Sequence, residues 1–270
     1  MKRLIYLLSL VFLFSSVQGQ KEIVNTAFQQ GEEIAYVIAY KWGIVDTDVG
    51  KVLFKVNRDT IDNKDLFHLD AIGTTFPAWD WFFKVRDRYQ SWIDPVTLAP
   101  YRFYRHVNEG GWKLNLKYNF HHDQNMVYSR FKINDEPLQY DTIKIEGHET
   151  FDLLSVVYLS RCIDFNSFKE GDKIPITLMV DAKVENLYFR YLGKEKVKVR
   201  RHESYNCIKF GVQVLEGSVF PEGGENLIVW ASDDKNKIPI MIKSPIIVGS
   251  VLVRIVSSSG LKHAVTSRIE

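Results

Sequence analysis

Large aromatic rings and arginine side chains alternate between Trp79 and Arg105, a pattern that could bind a ligand. Planar rings stack on sugars or apolar chains, and guanidinium groups bind carboxylates or phosphates through two parallel hydrogen bonds. In the alternative interpretation the rings belong to the core, and the arginines pair with Asp80, Asp87 and Asp94. The candidate ligand-binding residues are Trp79, Trp81, Arg86, Arg88, Trp92, Arg102, Tyr104 and Trp230.

Motifs for catalysis and for cofactor binding are missing from the sequence. It contains neither a G-x-S-x-G nucleophile motif nor an H-E-x-x-H zinc motif. The adjacent residues His121 and His122 would point to opposite faces of a strand, so they are poorly placed to share a metal ion. The glycine pair Gly110-Gly111 is typical of a hairpin turn. We therefore predict no catalytic residues, no metal and no cofactor, and we favour a protein that is not an enzyme.

The two cysteines, Cys162 and Cys207, leave two arrangements open. In an oxidising compartment they could form a disulfide that joins the end of a helix to the start of a strand. Their apolar neighbours Ile163 and Ile208 are equally compatible with two buried thiols.

Composition excludes several classes of protein. The 270 residues contain 35 basic and 33 acidic side chains, which argues against a dedicated nucleic-acid-binding protein. Apolar residues make up 46% and charged residues 25%, values typical of a folded globular chain and not of a disordered one. Two cysteines exclude both a disulfide-rich scaffold and a four-cysteine zinc site.

The first nineteen residues have the three parts of a secretory signal peptide. Lys2 and Arg3 precede an apolar run from Leu4 to Phe14, and small and polar residues lead to an expected cleavage near Gly19/Gln20. As a helix the apolar run would span only about 16 Å, which is too short for a membrane anchor. We therefore expect an exported protein, periplasmic or extracellular and soluble after cleavage, without a membrane span in the mature chain.

Period-two alternation dominates residues 20–270. Residues 112–120 alternate apolar and polar side chains, as in an antiparallel strand with one buried face. Residues 150–162 have helical spacing instead, and a short helical segment is expected at 77–83. Further strands are predicted at 33–41, 50–57, 66–72, 88–93, 101–107, 126–133, 174–180, 187–192, 197–201, 208–214, 227–232, 238–243 and 250–257. The predicted fold is mainly β, a large twisted antiparallel sheet or open half-barrel packed around one central helix. We expect a single domain, the alternative being two β domains that meet near residue 165.

Four blocks of sequence resemble the bacterial exported domain-of-unknown-function family 3108. They are FQQGEE at 28–33, RDRYQSWID at 86–94, DLLSVVYLSR at 152–161, and WASDD at 230–234 with the following Ile238-Pro239. The resemblance implies a β-rich envelope protein with no established activity. It also implies an architecture similar to the curved half-barrel of periplasmic lipoprotein carriers, in which a sheet encloses an apolar cavity.

Three functional hypotheses follow. The first is a non-enzymatic envelope protein that binds an apolar or amphiphilic ligand, such as a lipid or a lipoprotein, on a curved sheet. The second is a periplasmic protein that binds or processes carbohydrate through exposed tryptophans, and the third is a structural partner in an envelope complex. An apolar cavity inside the sheet would favour the first hypothesis. The sequence leaves the identity of the ligand and the oligomeric state open.

Overall fold

The computed structural model describes residues 23–213, 227–245 and 249–269, and these form one large sheet around a single α-helix. The predicted fold class is confirmed. The helix, α1, spans Ser155–Cys162. The sixteen strands of the described residues are β1 (Glu33–Trp42), β2 (Val45–Ile61), β3 (Lys64–Thr75), β4 (Arg86–Ile93), β5 (Pro100–Glu109), β6 (Trp112–His121), β7 (Met126–Ile133), β8 (Gln139–Lys144), β9 (Thr150–Phe151), β10 (Lys173–Val180), β11 (Lys183–Arg200), β12 (Glu203–Val212), β13 (Leu227–Ser232), β14 (Pro239–Pro245), β15 (Ser250–Ser259) and β16 (Arg268–Ile269).

The order of the strands explains how the sheet closes around an interior. Strands β1 to β8 form one antiparallel meander, β10 to β15 form a second, and β15 pairs with β1 to join them. The two edge strands, β8 and β9, are separated in the chain by residues 145–149 alone. Because so short a connection reaches no more than about 20 Å, the edges of the sheet lie near each other. The sheet is therefore curved like a barrel around α1.

Most strands lie where alternation predicts them, and β7 and β13 have the predicted bounds. The strands predicted at 187–192 and 197–201 are wrong as separate elements, since both belong to β11. The pairing of β11 with β12 shifts register between Tyr191 and Lys194, where Gly193 has a positive φ of 87°. Such a bulge interrupts the alternation of side chains without ending the strand.

Two other differences have local causes. Strand β8 was not predicted because nearly all of its side chains are exposed, so it has no apolar alternation. The helix begins five residues later than predicted, because Thr150 and Phe151 pair in parallel with β10. The predicted short helical segment contains a 3₁₀ turn at Pro77–Trp79. In the part of the chain that the structure describes, no helix is long and apolar enough to cross a membrane.

The core lies on the inner face of the sheet and around α1. One apolar cluster is built mainly from β3 to β7 with the helix, and a second from β10 to β13. Leu153 and Val156 contact both clusters, so the helix segment joins the two halves of the interior. The halves also meet where the amide of Ala182 donates a hydrogen bond to the Tyr118 hydroxyl at 3.0 Å.

Candidate ligand-binding cavity

A cavity of about 940 Å³ lies between α1 and the inner face of β1 to β4. Its wall is predominantly apolar, and the few polar residues that line it include Thr74, Thr75, Asp87 and Glu109. The residues that line it include Tyr40, Val52, Phe54, Trp79, Trp81, Phe82, Phe83, Leu153, Leu154 and Val157. An apolar molecule that filled this space would remove its own surface and the apolar cavity wall from contact with water, which is favourable.

Small residues on the inner face leave room for the cavity. Gly50, Ala71 and Gly73 all line it, at positions where other strands place large side chains. A Cβ atom on Gly50 would lie 2.6 Å from the carbonyl oxygen of Thr74, so this position requires glycine. A Cβ on Gly73 would meet only Val52 Cγ2, at an ordinary 3.8 Å. The space beside Gly73 is therefore open to a ligand.

Two carboxyl groups, Asp87 and Glu109, are the acidic part of the cavity wall. Asp87 Oδ1 accepts a hydrogen bond from the amide of Asn108 at 3.0 Å. Burial, together with the hydrogen bond and the negative charge of Asp87, raises the pKa of Glu109 to about 7, although Arg105 opposes the shift. A protonated Glu109 can donate a hydrogen bond, whereas two ionised carboxylates would repel an anion.

The C-terminal end of α1 is closed by a buried ion pair. Arg161 donates two hydrogen bonds to the Glu32 carboxylate, at 2.6 and 2.8 Å, and its Nε donates to the carbonyl oxygen of Asn236. Arg161 is 2% exposed and Glu32 is 1% exposed. Burial opposes the charge, but the bonds to Glu32 raise the pKa of Arg161 above its ordinary value. We call Glu32, Arg161 and Asn236 the clamp.

A second polar anchor starts the helix. The Asp152 carboxylate accepts hydrogen bonds from the amides of Leu154 and Ser155 and from the hydroxyl of Ser91 on β4. Burial raises the pKa of Asp152 to about 6, although the hydrogen bonds to the carboxylate by themselves lower this pKa. The anchor ties the helix start to the sheet just as the clamp ties the helix end.

These anchors give a structural role to the four sequence blocks that carry the family resemblance. Block 28–33 supplies Glu32, block 86–94 supplies Ser91, and block 152–161 supplies both Asp152 and Arg161. Asn236 follows the aspartate pair of the fourth block. Within that pair, Asp234 accepts hydrogen bonds from the backbone amide of Asn236 and from the Ser267 hydroxyl. The blocks thus hold the helix in the sheet.

The structure places only some of the predicted ligand residues at the cavity. Trp79 and Trp81 line it. Arg86 lies on the outer face of β4 and donates to the Asp80 carboxylate, the partner expected in the alternative interpretation. Because side chains alternate along a strand, Asp87 reaches the cavity whereas Arg86 and Arg88 cannot.

The remaining predicted residues face away from the cavity. Arg88 pairs with Asp70 and Arg102 with Asp62, while Tyr104 borders a separate outer groove. Trp92 is only 7% exposed: its ring stacks on His68 and its Nε1 donates to Asp59. Trp230 is also buried, and its Nε1 donates to Glu195. The eight residues therefore do not form one site, and neither Trp92 nor Trp230 presents an open ring.

Several cavity residues were missed, among them Val52, Phe54, Tyr89 and Glu109. Alternation marks the first three as inward-facing, which by itself does not distinguish a filled core from a cavity. The small inner-face residues Ala71 and Gly73 are the signal that could have located the space.

Neither a disulfide nor a metal cluster occurs among the described residues. Cys162 and Cys207 are free thiols in the structure and belong to different apolar clusters. Burial raises the pKa of both, so they are poor nucleophiles. Within residues 23–213, 227–245 and 249–269, no three histidine, cysteine or acidic side chains are close enough to hold a metal ion.

Comparison with known proteins identifies the fold and the family. The chain is similar to the crystal structure of a beta-barrel-like protein of domain of unknown function DUF1849 from Brucella abortus, with a TM-score of 0.56 and 10% identity over 87% of this chain and 98% of that one. No curated protein matches the sequence. A family model described as a protein of unknown function, DUF3108, matches residues 35–256, and the chain therefore belongs to the DUF3108 family.

Proposed function

We propose that this protein is exported and, without catalysing a reaction, binds an apolar or amphiphilic ligand, such as a lipid or the acyl chains of a lipoprotein. The signal-peptide pattern of residues 1–19 supports export, although those residues lie outside the described part of the chain. The apolar cavity of about 940 Å³ is the observation that carries the proposal. Its volume is at the upper end of the range for small-molecule sites, about 300–1,000 Å³.

The wall also limits the chemistry of the ligand. Each methylene group moved from water into the cavity contributes about 0.8 kcal/mol, so an alkyl chain would supply most of the affinity. The polar end of the ligand would lie beside Asp87 and Glu109, where an anion is repelled and a hydroxyl, amide or amine is accommodated. The proposed ligand therefore has an uncharged or cationic head group.

A cavity-filling substitution tests the proposal. Gly73→Leu places a side chain in the cavity from a position where a Cβ atom meets no close neighbour. Ser257→Leu adds the same side chain at an exposed position of β15 and serves as the matched control. We expect the wild type and the control to bind N-phenyl-1-naphthylamine, an uncharged fluorescent probe, and Gly73→Leu to bind at least about ten-fold more weakly.

Native mass spectrometry of the protein purified from its own envelope should show a bound lipid that Gly73→Leu lacks. The proposal fails if the folded Gly73→Leu variant binds the probe as tightly as the wild type. It also fails if the wild type neither binds the probe nor retains a lipid.

A second candidate function, carbohydrate binding, is favoured by the outer groove of about 510 Å³. Tyr104 and the cationic side chains of Lys117, Arg130 and Lys132 line this groove, and the Lys117 amine lies 4.4 Å from the centre of the Tyr104 ring. Such a surface suits an acidic sugar. Tyr104→Ala should abolish binding on a glycan array, whereas Tyr140→Ala, on the exposed strand β8, should not; binding that survives Tyr104→Ala excludes this site.

A further inference from the structure

Exposed apolar side chains surround the end of the sheet where the cavity opens. The β1–β2 hairpin carries Trp42 and Ile44, the loop between β3 and β4 carries three aromatic residues, and Trp112 begins β6. Trp81 is 80% exposed and Phe82 is 74% exposed, although both also line the cavity. We call Trp42, Ile44, Trp81, Phe82, Phe83 and Trp112 the apolar rim.

Strand pairing places the members of the rim at one end of the molecule. Trp42 pairs with Val45 at the tip of the β1–β2 hairpin, and Gly50 of β2 pairs with Thr75 at the end of β3. The next two connections follow at the same end, because Thr74 pairs with Arg86 and Glu109 pairs with Trp112. Four of the chain's six tryptophans therefore lie at this end: Trp42, Trp79, Trp81 and Trp112.

The loop that carries the central rim residues is held in place. Phe76 donates a backbone hydrogen bond to Val49, and Trp79 Nε1 donates to the carbonyl oxygen of Asp48 at 3.1 Å. Gly110 donates to the carbonyl of Lys84, and a Cβ on Gly110 would lie 2.6 Å from the ring of Phe83. Because the loop is already ordered, little conformational entropy would be lost when its rings bind a partner.

Exposed lysines lie beside the rim, whereas the acidic groups Asp87 and Glu109 lie in the cavity wall. Asp46, Asp48 and Asp80 are each neutralised by an ion pair, with Lys41, Arg254 and Arg86 respectively. Lys84 and Lys113 are exposed and form no ion pair with any residue that the structure describes. Each lysine near an anionic bilayer is attracted to the negative head groups.

We propose that the apolar rim docks on the surface of an anionic lipid bilayer, with the mouth of the cavity facing the membrane. Tryptophan is enriched where proteins meet the boundary between head groups and acyl chains. A projecting hairpin and loop suit this boundary, because apolar side chains enter it to a depth of about 5–10 Å. Docking does not require that the cavity hold a lipid, so it stands apart from the proposed ligand-binding function.

Vesicle flotation tests the proposal. The purified protein is mixed with vesicles of equal parts phosphatidylcholine and phosphatidylglycerol, or of phosphatidylcholine alone. We expect flotation with the anionic vesicles, a blue shift of tryptophan fluorescence, and affinity reduced at least about ten-fold in the double variant Trp81→Ser/Phe82→Ser. Lys84→Glu/Lys113→Glu should weaken binding to the anionic vesicles alone. Tyr140→Ser, which removes a side chain that is 71% exposed on β8, should bind like the wild type.

Several results of this experiment would exclude docking at the rim. Docking is excluded if the wild type does not float, if Trp81→Ser/Phe82→Ser floats equally well, or if Tyr140→Ser loses binding too. It is also excluded if light scattering shows that the rim joins two copies of the chain. Gly73→Leu should still float, so the experiment distinguishes a failure of docking from a failure of cavity binding. Residues 1–19 are the same in every variant, and the comparison between variants therefore isolates the rim.

Discussion

The two ends of helix α1 differ in how the protein uses its interior. At its C-terminal end, Arg161 and Glu32 form a buried ion pair in which the guanidinium is satisfied by hydrogen bonds. At its N-terminal end, Leu153, Leu154 and Val157 face an apolar space that no side chain of the described residues fills. The polar groups at the C-terminal end are all paired, whereas the apolar groups at the N-terminal end leave van der Waals contacts unmade. We therefore expect substitutions at the clamp to cost the most stability and substitutions at the cavity to affect the proposed ligand binding.

The largest expected effect is at the clamp. Arg161→Met leaves the Glu32 carboxylate buried without its partner, and we expect the free energy of unfolding to fall by about 3–5 kcal/mol. Urea denaturation followed by circular dichroism measures the change. Arg58→Ala breaks the exposed pair with Asp65 and should cost less than about 1 kcal/mol. Equal losses in the two variants would remove the distinction between the clamp and an ordinary surface pair.

A matched pair of substitutions on α1 compares a position packed in the core with a neighbouring position that faces the cavity. Val156 packs against both core clusters, and its neighbour Val157 lines the cavity. We expect Val156→Ala to cost about 1–2 kcal/mol and Val157→Ala less than about 1 kcal/mol, because Val157 has fewer contacts to lose. Both values come from the same denaturation experiment. If Val157→Ala is the more damaging variant, the cavity side is packed more tightly than the structure shows.

The smallest expected effect is the pH dependence of the cavity wall. The pKa of Glu109 is raised to about 7, so folding favours the protonated carboxyl and stability is lost as pH rises from about 4.5 to 7. Asp152 acts in the same direction up to about pH 6. Glu109→Gln should therefore reduce the fall in the free energy of unfolding between about pH 6 and 7. We expect a reduction of about 1 kcal/mol or less, because the Glu109 carboxyl is partly solvated.

Denaturation at a series of pH values, for the wild type and for Glu109→Gln, measures this difference. The binding of the uncharged probe should be insensitive to the substitution at pH 5, where Glu109 is protonated. A wild-type curve that is flat between pH 6 and 7 would show that Asp87 and Glu109 are better solvated than the structure indicates.

Alternation predicted the sheet well because each inward side chain reports its own environment. Residues 112–120 alternate cleanly, and β6 buries its apolar side chains from Leu114 to Phe120, whereas Trp112 at the start of the strand is exposed. The exposed strand β8 lacked that signal and was missed. The structure divides residues 79–105 between the two faces of the sheet, because alternation sends Asp87 and Tyr89 into the cavity and Arg88 and Trp92 to the outer face.

The sequence by itself determined the class of fold, the single helix and the family, since periodicity and short blocks are local properties of the chain. Only the tertiary structure decided which residues meet. Glu32 and Arg161 are 129 positions apart in the chain, and their pairing depends on how the sheet curves around α1. The cavity has the same origin, because an apolar side chain looks identical in sequence whether its neighbour across the interior is a large residue or Gly73.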